Sequence, residues 1–211
     1  MKKYILLASS LFMGVFTAEA QDKSCNINFI NLESGINLSQ FDFSDSEITA
    51  FKNGSFSPSQ HQALSLGFNL KGDLNLVLGA AYDKYQVIGK SIDMTSSHLS
   101  YDLNYVSASA GLEYSFPVQD KISLLANGAV TYNSLLSGFQ NIGSSSYDLS
   151  DSDFEASSYS VGAGVLYKMT DATGIYLKYD WSKTMNMEDA NDSYKLTSYV
   201  YSVGVRFTLA N

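Results

Sequence analysis

Between residues 28 and 209 the chain repeats one pattern eight times: a run in which apolar and polar side chains take alternate positions. The runs cover residues 28–41, 60–70, 74–86, 101–116, 122–134, 157–169, 175–183 and 197–209. Successive side chains of a β-strand point to opposite faces, so each run predicts a strand with one apolar and one polar face. The last run shows it most fully. Thr197, Tyr199, Tyr201, Val203, Val205, Phe207 and Leu209 share one face, and Ser198, Val200, Ser202, Gly204, Arg206 and Thr208 the other. In the fourth run the phase weakens before Tyr105, where a β-bulge is expected.

The polar faces are built from Gly, Ser, Asn and Ala with a few charges. Side chains that small and polar do not make the core of a soluble sandwich or lipocalin-like barrel. The apolar faces, with aromatics near both ends, suit hydrocarbon instead. The prediction is therefore all-β: an eight-stranded antiparallel up-and-down transmembrane β-barrel, apolar outside and polar inside. The connections agree. Residues 71–73, 117–121 and 170–173 are short and turn-like, whereas 43–59, 87–100, 135–156 and 184–194 are longer and rich in Ser, Asp and Asn. Short turns on one side and long loops on the other fit a barrel of the outer membrane, and an even strand count puts both termini on the periplasmic side.

Composition changes this picture little. Mean hydropathy is slightly negative, which a scan for helices reads as soluble, but barrel strands are only half apolar. Lys2, Lys3, the apolar stretch 4–16 and Ala18-Glu19-Ala20 read as a cleaved export signal over residues 1–20, which leaves 21–211 as the barrel domain. The stretch is too short for a retained helical anchor. The formal charge of -8, from 13 basic and 21 acidic residues, argues against nucleic acid as a partner. Cys25 is the single cysteine, so the monomer has no internal disulfide. The preceding Asp22-Lys23-Ser24 lacks the small apolar residues that precede a lipidated cysteine.

The candidate chemistry lies on the inner phase. Glu33, Asp83, Glu113, Lys168, Lys178, Asp180 and Arg206, the only arginine, all fall there. An eight-stranded barrel is just wide enough for side chains to fill, and an unpaired buried charge is expensive. These groups are expected to pair, with Glu113 the first and Glu33 the second partner for Arg206. Their plainer role is a salt-bridge plug; the sharper one is a gate whose pairs exchange partners. His61 and His98 are placed near the outer rim, with His61 close to Asp83 on the neighbouring strand. Serines abound, but no arrangement of His, Ser and acid commits to catalysis, so no catalytic residue, cofactor or metal is assigned. Asp148, Asp151, Asp153 and Glu155 cluster in one loop without the spacing or central glycine of an EF-hand, and read as a solvated acidic loop. Phe139, Tyr147 and Phe154 offer an adhesive surface in the same region.

The closing pattern of Ser202, Gly204, Phe207 and Leu209 resembles the insertion signal of bacterial outer-membrane barrels, although Ala210-Asn211 follow it here. Gly35-Ile36-Asn37-Leu38-Ser39 looks like the Gly-x-Asn-x-Ser opening of PorT-like barrel domains, and Gly204-Val205-Arg206-Phe207 is similar to their ending. Over residues 21–211 the chain resembles the small eight-stranded barrels of the OmpA-core and OmpX-like group. That resemblance implies a bacterial outer-membrane protein whose interior ion pairs block a continuous channel. Its surroundings would be outer-membrane lipid and lipopolysaccharide, and its biogenesis partners the barrel-assembly machinery and periplasmic chaperones. A structural or interaction role in the cell envelope is the first expectation. A narrow porin for small or apolar solutes is the second, and a lipid A-modifying enzyme the third.

Overall fold

The computed structural model describes residues 27–42, 52–90, 98–149, 156–185, 187–189 and 192–209. The expected export signal, Cys25 and the loop residues Asp151, Asp153, Phe154 and Glu155 lie outside them. The described residues form β1 (Ile27–Asp42), β2 (Lys52–Lys71), β3 (Leu74–Lys90), β4 (His98–Gln119), β5 (Ile122–Ile142), β6 (Ser145–Asp148), β7 (Ala156–Lys168), β8 (Thr173–Met185), β9 (Met187–Asp189) and β10 (Asp192–Thr208). Eight of them make the barrel wall in the order β1-β2-β3-β4-β5-β7-β8-β10, and β10 returns to pair with β1. The short strands β6 and β9 add hairpins to β5 and β10 at the loop end. Every pairing is antiparallel, and the closing pair runs from Phe29↔Thr208 to Asp42↔Lys195.

The outward phase follows the sequence pattern. Leu32, Ile36, Leu64, Leu112, Val130, Val161 and Val203 are exposed, and Leu177 reaches 64%. An apolar belt around a whole barrel suits hydrocarbon rather than water. Aromatic pairs mark its limits. Tyr114 and Phe116 lie 4.3 Å apart toward the turn end. Tyr159–Trp181 at 5.6 Å stands nearer the loop end, and Tyr179–Tyr201 at 5.0 Å lies between the two. Tyr159 and Tyr167 face outward on β7, eight residues apart. That spacing is about 26 Å along a strand, and about 20 Å along the axis at a tilt of ~40°. Such a height is close to the apolar band of an outer-membrane barrel.

The strands run farther than the alternation does. β2 begins at Lys52, β5 continues to Ile142 and β10 begins at Asp192, all inside stretches read as polar loops. Backbone pairing does not need apolar side chains, so the ladder continues where lipid contact ends. The expected bulge is also displaced. Asn104 pairs with Ser137 and Tyr105 with Leu135, so the extra residue is Leu136 on β5, not a residue of β4. β4 keeps its phase, with Leu103, Tyr105 and Ser107 all buried. Its pattern weakened in sequence because two large side chains turn inward there and cover the lumen.

Candidate functional site

The lumen of an eight-stranded barrel is filled by its own side chains, and here the filling forms three levels. At the turn end Arg206 on β10 reaches across to β4. Its Nη2 donates to Glu113 Oε2 at 2.9 Å, and its Nε donates to Asn31 Oδ1 on β1 at 2.9 Å. Arg206 and Glu113 are each 5% exposed. The guanidinium carbon lies 3.8 Å from the centroid of the Phe29 ring, close enough for a cation–π attraction. Leu125, Leu166 and Tyr176 form a buried apolar cluster at this end. Glycines make the close approach of the rings possible. A Cβ on Gly67 would overlap the Phe29 ring, and one on Gly204 would overlap the Tyr176 ring.

The middle level centres on His61. Its Nδ1 lies 2.7 Å from Asp83 Oδ1 and its Nε2 lies 3.2 Å from Glu33 Oε1. Ionised carboxylates only accept hydrogen bonds, so donors are wanted at both ring nitrogens, and the doubly protonated imidazolium supplies them. Glu33 Oε2 is shared by Lys178 Nζ at 2.8 Å and the donating Tyr176 hydroxyl at 2.9 Å. Lys178 Nζ also lies 3.3 Å from Asp180 Oδ2, and Asn127 Nδ2 donates to Asp180 Oδ1 at 2.7 Å. A cavity of about 160 Å³ lies among these groups, walled on other sides by hydroxyls such as Ser107, Thr131 and Ser160.

The third level faces the loops. Tyr85 and Tyr105 meet edge to face, with centroids 5.5 Å apart and planes at 76°. Both are buried, as are Leu103 and Leu196. The Ser198 hydroxyl donates to Asn37 Oδ1, and Asn133 Nδ2 donates to Ser158 Oγ at 3.2 Å. The cavity thus lies between a polar-aromatic floor and an aromatic-aliphatic cover.

Six of the seven charges expected inside meet in this arrangement: Glu33, Asp83, Glu113, Lys178, Asp180 and Arg206. Lys168 does not. It keeps the inner phase of β7 but is exposed at the turn end, beside the 169–172 turn. His61 is inside the barrel at 9% exposure rather than at the rim, because β2 extends to Lys52 and leaves residue 61 well within the strand. His98 opens β4; its side chain lies outside what the structure describes. Ser202 and Gly204 of the closing segment face the lumen, while Phe207 and Leu209 are exposed outward at the turn end. Asp148 and Tyr147 are exposed on β6 and Phe139 on β5. A reading confined to charges passed over Phe29, Asn31, Asn127 and Tyr176. Each sits on the inner parity of a strand already carrying a predicted inner residue, and that parity was the available signal.

Removing one partner of a buried pair leaves the other charge uncompensated, at a cost of about 3–5 kcal/mol when burial is deep. Arg206→Met alone should therefore destabilise the folded barrel more than Arg206→Met combined with Glu113→Gln. Equilibrium unfolding in detergent measures this, and simple addition of the two single effects would show that the pair is uncoupled.

His61→Leu should leave Asp83 without the cation at its Oδ1 and Glu33 with Lys178 as its one ion partner among the described residues. The variant should therefore unfold more easily than the wild-type barrel in detergent, by about 3–5 kcal/mol where the stranded carboxylate is deeply buried. A variant whose unfolding midpoint matches that of the wild type would contradict the arrangement.

The sequence profile of the family described as "Outer membrane protein beta-barrel domain" matches residues 8–207. No curated protein matches the chain significantly. Among solved structures, Neisserial surface protein A (NspA) is similar at 15% identity and a TM-score of 0.56, over 86% of this chain and 96% of that one. The outer membrane protein OprG from Pseudomonas aeruginosa is similar at 12% identity and a TM-score of 0.54, over 88% of this chain and 97% of that one. At these identities the likeness is one of fold.

Proposed function

The chain belongs to the outer membrane protein β-barrel family and is an integral β-barrel protein of the bacterial outer membrane, and we propose that its role there is structural or interactive rather than one of permeation. The observation that carries this reading is the filled lumen. Arg206 with Glu113 and Phe29 obstructs the turn end, and Tyr85, Tyr105, Leu103 and Leu196 obstruct the loop end. A passage for solute would have to break a buried ion pair and displace packed rings at once. In planar bilayers the purified barrel should therefore give no discrete conductance steps. Regular steps would favour the narrow porin instead.

A lipid-modifying acyl transfer fits less well. It asks for a histidine nitrogen free to take a proton from a hydroxyl, and both ring nitrogens of His61 are turned to carboxylates. The Asp83 side of this arrangement resembles a catalytic pair, but the Glu33 side occupies the position a serine would need.

In this reading the short turns and both termini face the periplasm and the longer connections face outward, where Phe139 and Tyr147 are exposed for surface interaction. Membrane lipid and lipopolysaccharide surround the belt. The barrel-assembly machinery and periplasmic chaperones would handle the closing segment of Ser202, Gly204, Phe207 and Leu209 during insertion. In a Cys25→Ser background, Ser146→Cys should react with a membrane-impermeant maleimide on intact cells, and Asp120→Cys only after lysis. The reverse result would invert the orientation.

A further inference from the structure

Charge does not balance inside the barrel. Among the described residues, the carboxylates around the cavity and its floor are Glu33, Asp83, Glu113 and Asp180, and the cations are His61, Lys178 and Arg206. Four against three leaves one negative charge even with His61 doubly protonated. An uncompensated charge in a confined interior is expensive, so the balance has to come from beyond these described side chains.

The hydrogen bonds indicate where. Glu113 is 5% exposed; its Oε2 is held by Arg206 and its Oε1 has no donor in the protein. Asn127 stands directly opposite Glu113 in the β4–β5 register. Its Nδ2 is fixed on Asp180, and its Oδ1 also lacks a donor. The carboxylate partner decides which end of the amide must donate, so the direction of the carbonyl is set by chemistry. The row continues from Asn127 to Gly162 and from Gly162 to Asp180 across β5, β7 and β8. Gly162 carries no side chain, and a Cβ there would overlap Asp180 Oδ1. Asp180 and Asn127 therefore lie over the glycine backbone. Along four strands this row is dominated by oxygen acceptors, and its side-chain donor group, Asn127 Nδ2, is turned to Asp180.

We propose that this row holds a small monovalent cation, seated on Glu113 Oε1 and Asn127 Oδ1 and partly hydrated in the cavity. Carboxylate and amide carbonyl oxygens are the ligands a hard cation takes. A single charge completes the balance, whereas a divalent ion would overshoot it. A water molecule takes about 30 Å³ in the liquid, so a cavity of about 160 Å³ has room for the ion and several waters. The inference rests on the closed-lumen reading only for retention of the ion. Conductance steps with an intact cation effect would sink that reading and leave the site.

The test is urea unfolding of the folded full-length barrel in detergent micelles, with sodium, potassium or N-methylglucamine chloride at equal ionic strength. Sodium or potassium should raise the unfolding midpoint over N-methylglucamine. Above its dissociation constant, each tenfold rise in the ion should raise the folded-to-unfolded ratio about tenfold. Glu113→Gln keeps an acceptor for Arg206 but removes the excess charge, and Asn127→Ala removes the second oxygen; either should abolish the difference between cations. Equal midpoints in all three salts would overturn the proposal. A cation effect retained in both variants would place the ion elsewhere, on the acidic surface, and overturn it too. Should acidification alone supply the stabilisation, with no choice among cations, the balancing charge is a proton and the site is not a cation site. If Asn127→Ala fails to fold, Glu113→Gln decides the question. If both fail, titrating thallium against the wild-type barrel decides it: one ion bound per chain and displaced by potassium is expected, and no binding overturns the proposal.

Discussion

A peptide group facing hydrocarbon has no water to bond with, and that constraint organises the molecule. Each unpaired N–H or C=O in the bilayer costs several kcal/mol, so a sheet that crosses it must close on itself. The pairing of β1 with β10 does this from Phe29↔Thr208 to Asp42↔Lys195. Closure with only eight strands then fixes the inner width. The lumen is too narrow for bulk water and wide enough for side chains. Unpartnered polar groups are costly there, so the inside of the barrel becomes a network rather than a channel. The usual arrangement of a soluble protein is inverted, with the apolar belt facing the solvent and the ion pairs forming the core.

Inside such a core, electrostatics and sterics have to be solved together. Arg206 is satisfied by Glu113 and Asn31 at its edge and by Phe29 on its face. The ring reaches it because Gly67 on β2 leaves the space, as Gly204 does for Tyr176. Tyr176 in turn donates to Glu33, which links the floor to the His61 level. Small residues on the inner phase are thus the complement of a few large ones. Buried ion pairs of this kind add little net stability over apolar packing of the same volume, because desolvation offsets their attraction. Their larger effect is on which arrangement is allowed.

Much of the architecture was legible because lipid imposes a period on the sequence. Every wall strand was visible as an alternating run, and the inner parity of Glu113 and Arg206 was enough to bring them together once their distances from the turns were matched. What was not legible lay where that period stops. β5 beyond Ser134 reads as loop because Leu136 interrupts the register, and β2 before Gln60 reads as loop because its residues are polar. The shortened β2 placed His61 at the rim, although its parity, shared with Ala63 and Ser65, already pointed inward. Lys168 shows the opposite failure. Parity gave the correct face, but a residue beside the 169–172 turn is past the floor and faces water. Parity reports face, and only register reports depth.

Register is also where the interior charges matter most. The lipid belt forbids a slip of one residue between neighbouring strands, since that would turn every apolar side chain inward. A slip of two residues restores the alternation and is nearly invisible to the belt and to the backbone ladder. It is not invisible to the lumen. Moving β10 by two residues against both of its neighbours, β1 and β8, would carry Arg206 away from Asn31 and Glu113. It would also replace Gly204 with Ser202 or Arg206 beside the Tyr176 ring. The first change strands a buried charge at about 3–5 kcal/mol, and the second forces atoms into occupied space. Both penalties fall on the slipped barrel alone. Pairs that contribute little to the stability of the native barrel can therefore separate it from its nearest competitor, and a conserved-volume apolar core would not make that distinction so sharply. The alternation selects a barrel, and the network around Arg206 selects its stagger.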